Sequence, residues 1–197
     1  MKTIPKSRRK VSSFQGFTLL AICIYTYYIM KFKLTLVFYV VKLCMETKHL
    51  DILLSREEYI CHQCNCVSHG AAGLAATLFN KYSYADIYSV RWEPDIPGTI
   101  HYSLAPEPCD KNIINMFGQL FPGGPSDKEL NGFGDTEDHR KKYFLDCLRS
   151  IKKLKPKSLA FPNRVGCNLA LGDWAWYSSA LIKFEEATKI PITIYIK

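Results

Sequence analysis

Aspartate and glutamate are absent from the first 45 residues of this 197-residue chain, and that absence decides how its charge is read. The formal net charge of +8 arises wholly from the eight Lys and Arg of that stretch, since the remainder carries 18 basic and 18 acidic side chains. A balanced remainder offers no electrostatic footprint to a duplex, so direct nucleic-acid binding is not expected. Also lacking is any second Cys-x-x-Cys or His pair downstream of Cys61, His62, Cys64, Cys66 and His69. Zinc sites need four converging ligands, and alternation along a strand puts Cys64 and Cys66 on one face and Cys61 on the other, so no metal is expected. No internal repeat is present, and the eight cysteines are too unevenly placed for the framework of a small secreted domain. Their thiols fit a reducing cytoplasmic or nuclear setting.

What is present divides into two parts. Residues 1–45 form a basic and hydrophobic N-terminal segment in which an uncharged run from Val11 to Met30 precedes Lys31-Phe32-Lys33 and a second apolar run to Val41. Residues 11–41 have about the length of a membrane anchor, which needs roughly 20 apolar residues, and no small-x-small cleavage site follows them. Three readings stay open: an anchor, a tail on a cytoplasmic or nuclear protein, or an extension outside the working protein, which would then begin at Met45. Residues 46–197 are long enough to close one hydrophobic core. The apolar content of 48% across the chain allows it. A monomer is the expected state.

Beyond residue 45 strands and helices alternate, which predicts an α/β layered fold with a largely parallel sheet. Strands are expected at 49–53, 58–62, 99–104, 112–117, 158–161 and 192–196, and helices at 73–81, 84–90, 136–153 and 174–188. Phe144, Cys147, Leu148 and Ile151 recur at helical spacing, as do Tyr177, Ala180, Leu181 and Phe184, so each helix offers one apolar stripe to the sheet. Residues 121–134 read as a turn-rich loop.

Two strand-to-helix corners carry chemistry. In the first, Cys61-His-Gln-Cys-Asn-Cys ends in the small-residue loop Gly70-Ala71-Ala72-Gly73, which opens a helix. In the second, the loop Val165-Gly166-Cys167-Asn168-Leu169 runs to Gly172-Asp173 and the helix at Trp174. The first turn of a helix leaves N–H groups unpaired and carries roughly half a positive charge, so each corner suits phosphate. Two such corners on one sheet suit a diphosphate. Taken by themselves, Asn65 reads as a strand-end cap and Asp173 as the cap of the last helix. Cys167 is a candidate reactive thiol near a helix start, although a small buried residue is the plainer reading.

Asp51 to Ala75 and Gly166 to Trp174 together resemble the macro domain family, which binds ADP-ribose. The shared features are the pair Asp51-Ile52 at the end of the first strand, an Asn fourteen positions later at the end of the next strand, Asn65, and the small-residue loop after it. His62-x-Cys64-Asn65-Cys66 is similar to the branch containing ADP-ribose 1''-phosphate phosphatases. Phe161-Pro162 to Leu169 and the strand Ile192-Thr193-Ile194-Tyr195 look like the terminal ADP-ribose protein glycohydrolases. The resemblance covers residues 46–197. It implies a three-layer α/β/α fold with a mixed, largely parallel sheet.

By that resemblance Asp51 accepts from the adenine amino group and Ile52 supports the ring. Asn65 faces the distal ribose, the His69 to Gly73 loop cradles a phosphate, and Gly166, Cys167, Asn168 and Leu169 close over the diphosphate. The implied activity is hydrolysis of an ADP-ribose derivative, either an ADP-ribosyl-protein linkage or ADP-ribose 1''-phosphate, with no cofactor. Asn65 would position the water, and Asp173 or His69 would activate it, histidine as a residue type titrating near neutrality. The partner is ADP-ribose or an ADP-ribosylated protein. Two departures favour the alternative of a non-catalytic reader: Asn168 stands where the family usually has Gly, and Ala170 where the glycohydrolases carry a catalytic Asp.

Overall fold

The computed structural model describes residues 45–197, so the expectations for the N-terminal segment, its anchor at 11–41 included, lie outside the described residues. Strand β1 (Glu46–Lys48) is followed by a 3₁₀ turn at Ile52–Leu54, strand β2 (Tyr59–Asn65) and helix α1 (Gly73–Lys81). Strands β3 (Ile100–Ser103), β4 (Asn112–Gln119), β5 (Ser126–Leu130) and β6 (Phe133–Asp135) lead to helix α2 (Glu137–Leu154). Strand β7 (Leu159–Pro162), helix α3 (Trp174–Thr188) and strand β8 (Ile192–Tyr195) follow. Six strands form one sheet in the order β1-β8-β7-β2-β4-β3, with β3 antiparallel to β4 and every other pair parallel.

Alternation along β2 splits the core in two. Tyr59 and Cys61 join Phe144, Cys147 and Ile151 of α2 and Tyr177 and Leu181 of α3 on one face. Ile60 and Cys64 join Leu78 and Phe79 of α1 on the other. The result is the expected three-layer α/β/α arrangement, in which a sheet covered on both sides tolerates continuous buried runs such as residues 113–119. Helix α2 begins where Thr136 accepts from the His139 amide, with Glu137 and Asp138 in its positive first turn. Helix α3 begins where Asp173 accepts from the Ala175 amide at 2.9 Å. Among the described residues, no helix is long and apolar enough to cross a membrane.

Three expectations are corrected. The strand expected at 49–53 is a loop and a 3₁₀ turn, because Asp51 accepts from the Leu53 amide at 3.0 Å and closes the backbone on itself. The edge strand lies earlier, where Glu46, Thr47 and Lys48 pair with Thr193, Ile194 and Tyr195, and its polar side chains suit a solvent-facing edge. The helix expected at 84–90 is reduced to a 3₁₀ turn at Ser83–Ala85. There the Asp86 carboxylate accepts from the Tyr88 amide at 2.9 Å and from the Ser89 amide at 3.2 Å. Those donors are thereby diverted from helical bonding. The loop at 121–134 contains the β5–β6 hairpin. Its turn is made by Asn131 at φ 53° and Gly132 at φ 80°. Asn-Gly favours such a two-residue turn.

Candidate functional site

Strands β2 and β7 lie side by side and parallel, and the chain leaves their C-terminal ends in opposite directions. From β2 it runs through α1 toward β3 and β4, and from β7 through α3 to β8. Open α/β sheets bind ligands in the crevice at such a switch point. A cavity of about 250 Å³ occupies it, walled by the β2–α1 loop on one side and residues 162–170 on the other, with Pro122 and Gly123 between them. Of the residues the sequence singled out, Asn65, Gly70, Ala72, Gly73, Gly166, Cys167, Asn168 and Leu169 line it. Asp51, Ile52, His69, Ala71 and Asp173 lie outside the lining.

The first wall is built from Asn65. Its Oδ1 accepts from the amides of Val67 and Ser68 at 3.0 and 2.7 Å, and its Nδ2 donates to the Tyr88 hydroxyl at 3.2 Å. The side chain therefore shapes the turn after β2 and keeps one amide proton for the cavity. Behind it sits Arg91, which the sequence reading missed. Its guanidinium donates to the Asn65 carbonyl at 3.0 Å and to the Ser68 carbonyl, pairs with Asp95 at 2.5 Å, and lies 4.7 Å from the Tyr88 ring centroid. Where the loop meets α1, Ala72 supplies no side-chain cap. The first-turn amides therefore keep their anion-binding capacity toward the cavity.

Gly166 organises the second wall. Its φ is +71°, and a Cβ there would meet Gln63 Oε1 at 2.7 Å and the Tyr177 ring at 2.9 Å. Its carbonyl accepts from the Gly172 amide at 3.0 Å, which folds residues 166–172 into a closed loop. Arg140, also missed from sequence, braces this loop from beneath. Buried with Asp135 in a 2.5 Å ion pair, it donates to the carbonyls of Ala170 at 3.1 Å, Gly123 at 2.7 Å, Gly124 at 2.8 Å and Phe121 at 3.2 Å. One guanidinium thus ties the second wall to the segment carrying Pro122 and Gly123. Leu169 reaches across to the first wall, its Cδ1 3.2 Å from where a Gly73 Cβ would stand.

The cavity is electrostatically simple. Burial holds His62, at its floor, down to about 4 against the opposing pull of Asn115. The imidazole is therefore neutral near pH 7. Its Nε2–H donates to Asn115 Oδ1 at 2.5 Å. An amide oxygen requires that tautomer. Burial pushes the Cys167 thiol up to about 11, leaving a protonated apolar residue rather than a nucleophile. Tyr88 is likewise raised by burial and stays un-ionised. Among the described residues, Arg164 is the one permanently charged side chain in the lining, and none of the lining side chains is a carboxylate. Asp173 is committed to capping α3 and is exposed. Asp51 accepts from Lys197 Nζ at 2.6 Å and from the Leu53 amide, and these hydrogen bonds lower its pKa. Cys61 belongs to one core and Cys64 and Cys66 to the other. Among the described residues, no three His, Cys, Asp or Glu side chains converge on a metal-sized site.

Sheet order, layers and crevice together define the macrodomain fold. The chain is similar to the macrodomain of Mycobacterium tuberculosis DarG, with a TM-score of 0.57 at 17% identity over 78% of this chain and 98% of that one. It is also similar to Thermosipho africanus DarTG in complex with ADP-ribose, with a TM-score of 0.53 at 22% identity over 79% of this chain and 42% of that one. The Trypanosoma brucei macrodomain in complex with ADP-ribose gives a TM-score of 0.52 at 11% identity over 77% and 63% of the two chains. No protein-family model and no curated protein matches the sequence. At these identities the likeness defines the fold.

Proposed function

We propose that residues 46–197 bind ADP-ribose, with the diphosphate held between the first turn of α1 and the loop 166–169. One observation carries this reading: both amide-bearing corners open onto a single cavity that is lined, among the described residues, by an arginine and no carboxylate. A diphosphate meets N–H donors on two sides there, with one fixed positive charge and no repelling group. The complexes of T. africanus DarTG and the T. brucei macrodomain with ADP-ribose support the choice of ligand. In this pose Asn65 addresses the distal ribose through its spare amide proton, and Asp51 meets the adenine amino group once Lys197 gives way.

Binding without chemistry is the better-supported form. The candidate bases do not line the cavity, Ala170 has no acid–base group, and Asp173 has a structural task at the start of α3. Hydrolysis of a protein-linked or 1''-phosphorylated ADP-ribose is a second reading, favoured by His69, which lies between the lining residues Ser68 and Gly70. Calorimetry of the full chain with ADP-ribose tests the first reading, and absence of heat and of competition overturns it. Incubation with an ADP-ribosylated peptide and with ADP-ribose 1''-phosphate tests the second. Release by the wild type that survives in Asp173→Asn, which keeps the cap, clears Asp173 of a base role. Release lost in His69→Ala assigns that role to His69. No release from either substrate leaves a reader.

A further inference from the structure

The outward sides of α2 and α3 enclose a second groove of about 390 Å³. Its apolar floor includes Leu145, Trp176 and Phe184, and its rim carries Arg149, Lys152 and Lys183. On α2 the groove takes residues 145, 148, 149 and 152, and on α3 residues 176, 179, 180, 183, 184, 187 and 188, so that each helix contributes positions three or four apart. Leu148 and Ala180 belong both to this groove and to the core beneath it, and Trp176 and Phe184 pack on that core, whereas Leu145 and Ala187 lie beyond it. Each helix is therefore apolar over a wider arc than its own core uses. Leu145 is 37% exposed, and Trp176 is held half-buried by edge contact with Phe144 and Tyr177.

Charge says what fits there. Among the described residues, the groove lining contains three cations and no carboxylate. Arg149 pairs with Asp146 on its own helix, while Lys152 and Lys183 have no ion-pair partner among the described residues. A second copy of this face would bring the same cations against them, and the eight Lys and Arg without an acid in residues 1–45 have the wrong sign. Shape points to a helix: two helices with facing stripes leave the slot of a third, and residues 176–187 span about 17 Å, three turns at the standard rise. We propose that this groove docks an acidic amphipathic helix of a partner polypeptide, apolar side down, with carboxylates against Lys152, Lys183 and Arg149.

The test uses the full chain and two designed helical peptides with the same Leu and Phe stripe, one flanked by Glu and the other by Lys. Trp176 is the reporter, its emission separated from Trp92 and Trp174 by the Trp176→Phe variant. Saturable micromolar binding of the Glu peptide is expected, with none by the Lys peptide. Affinity should fall about tenfold in the exposed double variant Lys152→Glu/Lys183→Glu, with an unchanged melting temperature. The proposal is overturned if the Glu peptide fails to bind at millimolar concentration, if both peptides bind equally, or if the charge reversal leaves the affinity unchanged. It stands apart from the ADP-ribose reading, since a peptide that occupies this groove need not alter ADP-ribose affinity.

Discussion

Arg164 shows how much a single residue can set in this cavity. It has a left-handed backbone at φ 58°, lines the site, and is exposed at the mouth, with His62 neutral below it. A ligand bearing two phosphate charges should therefore feel Arg164 before any other side chain. Arg164→Gln is expected to weaken ADP-ribose about tenfold at low salt, less at high salt, and to leave adenosine affinity alone. Calorimetry at two ionic strengths checks this, and an unchanged ADP-ribose affinity removes Arg164 from the ligand. The sequence placed Gly166, Cys167, Asn168 and Leu169 in the site but stopped short of Arg164, because an arginine in a loop resembles any solvated charge. Asn65 was legible by position. That its Oδ1 is committed to two backbone amides follows only from the turn it makes.

At the scale of elements, the β7–α3 loop depends on α2, a helix that contributes nothing to the cavity lining. Arg140 joins them, and it was invisible in the sequence because a charged residue in a helix of charged residues reads as solvent-facing. Its partner Asp135 ends a strand that the turn-rich segment concealed. Arg140→Met would leave the buried Asp135 carboxylate unpaired and the loop carbonyls without their donor, so a loss of about 3 to 5 kcal/mol is expected. Asp135→Leu combined with Arg140→Met should cost less than the two single losses added together, since no lone buried charge remains. Urea unfolding of the three variants measures this, and strict additivity would show that the pair acts as two independent groups. The strand expected at 49–53 and the helix expected at 84–90 failed for one cause. At Asp51 and Asp86 a carboxylate captures nearby amides, and this local chemistry overrides a periodic apolar pattern.

At the scale of the whole molecule, His62 links the middle of the sheet to acid stability. Its folded value of about 4 lies below the ordinary 6.5, so between those limits the unfolded chain takes up a proton that the folded chain refuses. Stability is therefore complete above pH 6.5 and should fall by about 3 kcal/mol as the pH drops to 4. Glu57 acts in a lower window. Burial alone would raise it, but hydrogen bonds from the Tyr195 hydroxyl and from Lys48 bring it to about 2, so its contribution fades below pH 4.5. Denaturant unfolding at pH 7, 5.5 and 4 reads the His62 window, with a further point at pH 3 for Glu57, and a flat profile down to pH 4 would show that His62 is not excluded from water in the folded state. The alternation of strands and helices, the apolar stripes of α2 and α3, and the two small-residue corners were determined by the sequence alone, because each depends on neighbours a few positions apart. The tertiary structure decided which strands adjoin, and so that both corners open on one cavity with Arg140 beneath and, among the described residues, no carboxylate in its lining. Those facts join residues far apart along the chain, and no local periodicity encodes which distant groups a fold brings together.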